Sequence, residues 1–561
     1  MALALCAAPV VGCDGDPEGT SIRIDLYGYE PQPGEAGEGS GLDGTGLADL
    51  LEVQIIDQAD PRGEDPTLLN RSRVVDLDLA SRSGSIGKLA LGTTFRMHLR
   101  GFESADESFR PHMYGASVAF DVQSGDDFAV SIQVGPADCV TLNQSSRVTG
   151  QAGGTDDLAQ ARAGASVTVL ADGRVAIIGG AQVNGQGQPA TVLNSIEVYD
   201  PKSNQFFALA ASLDVPRAWH TATLLNDGTV LVTGGLSAAG QTAPGAVIVD
   251  FSGIAGQVRP VATPWPPSEA RAHHQAIKLG FDGSVLIAGG QNAAGEALAT
   301  AWRFFPPAGV DPAQGQFVRQ GDLNHPRAFH SLSPLARQLE LATAAGGFDG
   351  SGVLSSIEIF TVRPDQGGCA SNVERPSERI GCFIETPGVQ LAEARWGHRA
   401  AQVEDGRVTV FVGGYGSPDR QQLPRNIERL DSSLQMRGGE GAGVGQMLYG
   451  RGEASVTALH DDSILVLGGR IGDGPVAVGT RLIPRYARNG ADRVFDGYAV
   501  AELRANCDLS EPRFGHVAIQ QPNHGVVLVL GGVLGQANNL AASRRAELYF
   551  PRVENVKDLY R

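Results

Sequence analysis

The stretch Pro216 to Gly235, PRAWHTATLLNDGTVLVTGG, decides how this chain is read. Arg217, Trp219 and His220 precede an apolar-polar run from Thr221 to Leu224, Asp227-Gly228 turns the backbone, and Val230 to Val232 lead to Gly234-Gly235. Asp-Gly tolerates the positive φ of a tight hairpin turn, so the segment predicts two antiparallel strands. One hairpin cannot bury both of its faces alone. Recurrence supplies what a single hairpin lacks.

Six further copies follow the same pattern: ARAGASVTVLADGRVAIIGG from Ala161, ARAHHQAIKLGFDGSVLIAGG from Ala270, PRAFHSLSPLARQLELATAAGG from Pro326, ARWGHRAAQVEDGRVTVFVGG from Ala394, GRGEASVTALHDDSILVLGG from Gly450 and PRFGHVAIQQPNHGVVLVLGG from Pro512. Their first paired glycines are 179, 234, 289, 346, 413, 468 and 531, spaced by 55, 55, 57, 67, 55 and 63 residues. A third strand is legible after the Gly-Gly of five copies: Ser195 to Asp200, Gly245 to Asp250, Ser356 to Phe360, Asn426 to Asp431 and Ala546 to Phe550. A weaker fourth closes the unit, as at Gln205 to Leu209. Seven such sheets packed radially bury one another's faces, which predicts an all-β chain ending in a seven-bladed β-propeller over 161–561. The outermost strand of the last copy could come from Val553 to Arg561 or from the segment Cys139 to Leu142.

Before the repeats, period-2 runs at Ile22 to Leu26, Leu51 to Ile55, Phe95 to Leu99, Ala116 to Phe120 and Phe128 to Val134 predict a small antiparallel β-sandwich over 20–142. Glu30 to Gly46 reads as a loop, and 149–160 as a linker. Composition agrees with turn-dense β structure: 74 of 561 residues are glycine, 42% are hydrophobic and 31 are proline. The formal charge of −18 argues against a nucleic-acid partner, because a phosphate backbone selects basic surfaces.

Arg-x-x-His before the first strand, Gly-Gly after the second and Tyr-Asp ending the third resemble the kelch repeat, over roughly Arg162 to Pro551. The Trp usual about seven residues beyond the Tyr is absent, with Phe206 near that place in the first copy. The first thirteen residues, MALALCAAPVVGC, resemble a bacterial lipoprotein signal, with Val10-Val11-Gly12 leading to Cys13 and polar Asp14-Gly15-Asp16 beyond. That resemblance implies export, a lipid on Cys13, and residence in the bacterial cell envelope, with the membrane met only through the lipid. No Lys or Arg precedes the apolar run, which is short. Apart from Cys6 and Cys13, four cysteines remain at spacings that fit no zinc pattern. In an exported protein they predict disulfides Cys369–Cys382, within one Gly/Pro-rich insertion, and Cys139–Cys507; in the cytosol they would be free thiols.

The fold resemblance places ligands on the face where the innermost strands begin. The candidate ligand face comprises Arg217, His220, Arg271, His274, Arg327, His330, Arg395, His398, Arg513 and His516, with Trp219, His273, Phe329, Trp396 and Phe514 between them and Tyr415 beside a Gly-Gly. Cations and flat rings could hold an acidic or sugar-like ligand. The competing reading is that residues repeated in every blade hold the blades together. Galactose oxidase, an enzyme of this fold, needs two tyrosines, two histidines and a cysteine for copper, one tyrosine being directly followed by histidine; no Tyr here precedes a His. No GxSxG, HExxH or phosphate-loop motif occurs, so no catalytic residue, metal or other cofactor is assigned. The expected function is non-enzymatic binding of a protein or glycan by a monomer; the alternative is a carbohydrate-active enzyme with an atypical propeller site.

Overall fold

A computed structural model describes residues 3–4, 22–28, 50–59, 73–78, 93–102, 111–117, 120–121 and 128–143, and, apart from 239, 254, 307–314, 336–340, 363–379, 439–443, 473, 490–491, 523–524 and 537, all of 154–553. Seven four-stranded antiparallel sheets repeat along the chain, each ordered outward from its first strand. Blade 1 is Ser166–Val169, Val175–Ile178, Ser195–Asp200 and Gln205–Ser212. Blades 2 to 6 begin at Thr221–Leu224, Gln275–Lys278, Ser331–Pro334, Arg399–Val403 and Ser455–Ala458. Blade 7 begins at Val517–Gln520 and runs through Val527–Leu530 and Ala546–Phe550. Its outermost strand is Cys139–Leu142, so the chain before the repeats seals the ring. Two third strands that the periodicity did not reveal are Ala301–Phe305 and Gly479–Asn489.

Burial explains the strand sequences. The second strands, such as Val175–Ile178, Val230–Thr233 and Ile464–Leu467, are buried throughout, because both faces of a blade's middle are covered by neighbouring blades. They are accordingly rich in Val, Ile and Leu, except Leu341–Ala345 of blade 4, which is mostly alanine. Innermost strands such as Thr221–Leu224 and Val517–Gln520 are only half-buried and carry more polar residues, as expected around a channel. Among the described residues an apolar cluster fills every interface from blade 1–blade 2 round to blade 6–blade 7. The last interface, blade 7 against blade 1, joins Leu528, Leu530 and Phe550 to Val175, Ile177 and Phe206, and also takes Ile56, Tyr114 and Ala116 from the N-terminal part. The N-terminal strands therefore pack over the seam.

Those strands depart from the expected sandwich. The described ones form one connected sheet of eight, in which Ile22–Gly28 pairs parallel with Phe128–Pro136. Alternation shows that each strand has one apolar face, but not what covers it, and here part of the cover is blade 7. The run Ala116 to Phe120 is broken: one strand ends at Ala116 and Phe120–Asp121 is a separate one, while Arg73–Asp78 was not anticipated. Leu3–Ala4 adds a short strand beside Ile22–Gly28; Cys6, Cys13 and the loop Glu30 to Gly46 lie outside the described residues. From residue 154 the predicted linker is held down: Thr155 bridges Phe206 and Leu158 is fully buried.

A disulfide joins Cys139 to Cys507, with Cα atoms 4.3 Å apart. It ties the sealing strand to the segment that enters blade 7. Cys382 is also a disulfide cysteine, while Cys369 lies outside the described residues.

Candidate functional site

The site is best built from the repeated arginine. Arg217, Arg271, Arg327, Arg395 and Arg513, with their counterparts Arg162 and Arg451, are fully buried. In six blades the guanidinium donates to the carbonyl of the blade's own first paired glycine at 2.7–3.2 Å. Arg451 instead donates to Val478 O at 2.6 Å and to Thr480. The arginine's own carbonyl accepts the N–H of the second paired glycine of the preceding blade, at 2.8–3.0 Å, in all seven positions, from Gly180–Arg217 round to Gly532–Arg162. The paired glycines take φ of 55–69° and 91–106°. A side chain on the first would be strained, and its Cβ would press on that same arginine carbonyl. Gly-Gly and Arg are thus two halves of one latch between neighbouring blades.

Four blades neutralise this buried cation with a third-strand glutamate: Arg162–Glu197, Arg327–Glu358, Arg395–Glu428, and Arg513–Glu547 at 2.8 Å. Each carboxylate also accepts a backbone N–H of the loop leading to the arginine, as from Asn324 and Ala392 at 2.6 Å. Blades 2, 3 and 6 lack the glutamate, and burial pushes Arg271 and Arg451 down to about 10.

Four of the five histidines complete the latch. His220 bonds Ser166 Oγ at 2.7 Å, His274 bonds Thr221 Oγ1 at 3.0 Å, and His398 and His516 bond Ser331 and Ser455 Oγ at 2.9 Å, each reaching into the preceding blade. Burial first, then the neighbouring arginine, pushes His220 and His330 down to about 3, and His274, His398 and His516 well below their usual value. These ten Arg and His side chains, expected on the ligand face, are buried within the joints between neighbouring blades.

The residues between them form the mouth of the channel. Backbone N–H groups link Gly164, Trp219, His273, Phe329, Gly397, Glu453 and Gly515 in sequence, each from Trp219 onward donating to the carbonyl before it at 2.7–3.2 Å. This backbone ring is regular, but its side chains are not. Blades 2, 3 and 4 contribute an arc of half-buried rings, with Trp219–His273 centroids 5.6 Å apart and His273–Phe329 4.2 Å apart. Blades 5, 7 and 1 contribute only glycine. Blade 6 contributes Glu453, whose carboxylate accepts the Tyr415 hydroxyl at 2.9 Å. Trp396 and Phe514 are 7% exposed and Tyr415 not at all, so these three pack rather than present a surface. Burial, then Glu453, pushes the Tyr415 phenol up.

Loops raise one side of this face. The second-to-third connections of blades 7, 1 and 2 are small hairpins that abut one another, with Leu540 N–H donating to Gly185 O at 2.9 Å. Opposite them, the Tyr415 to Arg425 loop lays Arg420 over Trp396 and Tyr415, 5.2 and 5.5 Å from the ring centroids.

One further residue escaped the sequence reading. Arg399 follows His398, where blades 1, 2, 4 and 6 carry the Ser or Thr that receives a histidine. It is exposed; nearby protein atoms lower its pKa, and Glu453 acts on it electrostatically to raise it. It opens the innermost strand of blade 5, Arg399–Val403, which borders the channel. Among the described residues Arg399 makes no ion pair; its one hydrogen bond runs from Nη1 to His398 O at 3.4 Å. The signal for it was a break in the repeat rather than the repeat itself. Among the described residues, no three His, Cys, Asp or Glu side chains gather as a metal would require.

No protein-family model matches the chain, and no curated protein matches it. Among solved structures, the one described as "Structure of YjhT" aligns with 62% of this chain and 99% of its own, at 13% identity and a TM-score of 0.41. The kelch-like propeller fold rests on the seven sheets and the closed ring of latches, not on that likeness.

Proposed function

We propose that this chain is a kelch-repeat lipoprotein of the bacterial cell envelope, anchored through Cys13, that binds a glycan or protein without turning it over. The asymmetry of the channel mouth carries the reading. A purely structural ring repeats its side chains as it repeats its backbone; here three adjacent blades supply half-buried rings while blades 5, 7 and 1 supply glycine, and beside Gly515 the space that a side chain would fill is open. Disulfide cysteines at 139, 382 and 507 support an oxidising compartment.

Binding to immobilised envelope glycans and to secreted proteins, compared between the full chain and Trp219→Ala and Phe329→Ala variants, tests the face. The expected result is at least a tenfold loss in both variants with the thermal midpoint kept. Unchanged binding in both would overturn the assignment. Intact mass and fractionation with and without Cys13→Ala test the anchor: a lipid-sized mass lost in the variant is expected, and an unmodified soluble protein would contradict it.

A further inference from the structure

The repeat obeys a pairing rule between neighbouring blades, and its violations are informative. Four of the five latch histidines meet a Ser or Thr of the preceding blade: Ser166 with His220, Thr221 with His274, Ser331 with His398, Ser455 with His516; the fifth, His330, stands opposite Gln275 and neither of its ring nitrogens is hydrogen-bonded among the described residues. Blades 1 and 6 lack the histidine, with Ala165 and Ala454 in its place. Opposite Ala165 the preceding blade carries Val517, an uncharged residue that makes no demand on the fold. Opposite Ala454 it carries Arg399. The missing imidazole makes space, but the Val517–Ala165 pair shows that a small apolar side chain suffices to fill it. Arg399 therefore answers no structural need that is visible in the repeat.

An exposed guanidinium whose charge is met by no ion pair among the described residues is open to an anion. Its surroundings narrow the choice. Glu453, whose N–H donates at 3.2 Å to the carbonyl of Gly397 two residues before Arg399, is engaged with the Tyr415 hydroxyl and would repel a doubly charged phosphate more than a single carboxylate. Arg420 adds a second cation on the rim and, like Arg399, makes no ion pair among the described residues. The planar guanidinium fork matches a planar carboxylate. Phe329, whose carbonyl accepts the Gly397 N–H, offers a flat apolar face one blade away.

We propose that Arg399, with Arg420 at the rim, anchors the carboxylate of a small organic monocarboxylate whose body lies against the His273–Phe329 side of the mouth. This deepens the reading of the mouth as a ligand face and rests on it.

The test is a titration of the full chain, followed by tryptophan fluorescence and thermal midpoint, with four probes: glucuronate, glucose, N-acetyl-phenylalanine and inorganic phosphate. Expected are saturable binding of at least one carboxylate, at least tenfold weaker binding of glucose and phosphate, at least a tenfold loss in Arg399→Gln, and partial recovery in Arg399→Lys. Whether glucuronate or N-acetyl-phenylalanine binds more tightly separates a uronic acid from a peptide-like acid. Equal affinity for glucuronate and glucose, lost on Trp219→Ala but not on Arg399→Gln, would overturn the carboxylate site and leave the ligand face standing. Binding of no probe would overturn the carboxylate site, and the glycan and protein panel above would then judge the face separately. Unchanged thermal midpoints in both Arg399 variants show that any loss is one of binding.

Discussion

Arg395 and Arg399 stand four residues apart in blade 5. Arg395 is fully buried, donates to Gly413 O at 3.2 Å and pairs with Glu428. Arg399 is exposed, opens the blade's innermost strand and makes no ion pair among the described residues. The first has an equivalent in every blade, and the second has none. Recurrence marks the parts that close a ring, whereas a ligand with one shape is served by the positions where recurrence fails. Chemistry by residue type alone cannot separate the two, because both are arginines beside a histidine.

The comparison can be strained first at the latch. Gly346→Val puts a β-branched residue at a φ of 59° and drives its Cβ toward the Arg395 carbonyl, so the cost should exceed about 4 kcal/mol. Denaturant unfolding and soluble yield measure it. A well-folded variant would show that the paired glycines do not join the blades.

The seam comes next. Cys507→Ser frees the strand that seals blade 7 and should cost about 2–4 kcal/mol, matched by the effect of a reductant on the parent protein. If Cys507→Ser and reduction both leave the unfolding midpoint in place, closure does not depend on the cross-link.

Acid probes the latch histidines. His220 and His330 are held down to about 3 when folded and titrate near 6.5 when unfolded, so unfolding takes up protons between those values. Their contribution to stability is complete above about pH 6.5 and declines as the pH falls toward 3, by up to about 1.4 kcal/mol per pH unit for each histidine. His220→Gln should flatten the acid limb by about one proton; an unchanged slope would place that titration elsewhere.

The smallest effect belongs to the mouth. Gly515 has a φ of 62° but open space where a Cβ would sit, so Gly515→Ala should cost only the backbone strain, about 1–2 kcal/mol. A loss as large as that at Gly346 would mean that the mouth is as tightly built as the latch.

The architecture was legible because a blade's middle strand must be apolar on both faces, which wrote a Val/Ile/Leu-rich run before Gly-Gly in six copies and Leu-Ala-Thr-Ala-Ala in the fourth. Third strands such as Ala301–Phe305, with Trp302, Arg303 and Phe304, carry mixed side chains and left no comparable signal. The sealing strand Cys139–Leu142 was legible only as one of two possibilities, since four residues pairing with a strand some four hundred positions away have no local signature. The arginines and histidines were visible, but their burial was not: sequence shows that a residue recurs, and only the fold shows that its guanidinium ends on a carbonyl. Arg399 was equally visible. Finding it required asking which residue stands opposite each latch histidine, a question that needs the blade-to-blade register.

The most direct test measures Arg395→Gln and Arg399→Gln side by side for unfolding free energy and for binding of the glucuronate and N-acetyl-phenylalanine probes. The account predicts that Arg395→Gln loses about 3–5 kcal/mol by leaving Glu428 buried without its partner. It predicts that Arg399→Gln keeps its stability within about 1 kcal/mol and loses carboxylate binding at least tenfold. An Arg399→Gln variant as unstable as Arg395→Gln, or one that binds the carboxylate as the parent does, would contradict it.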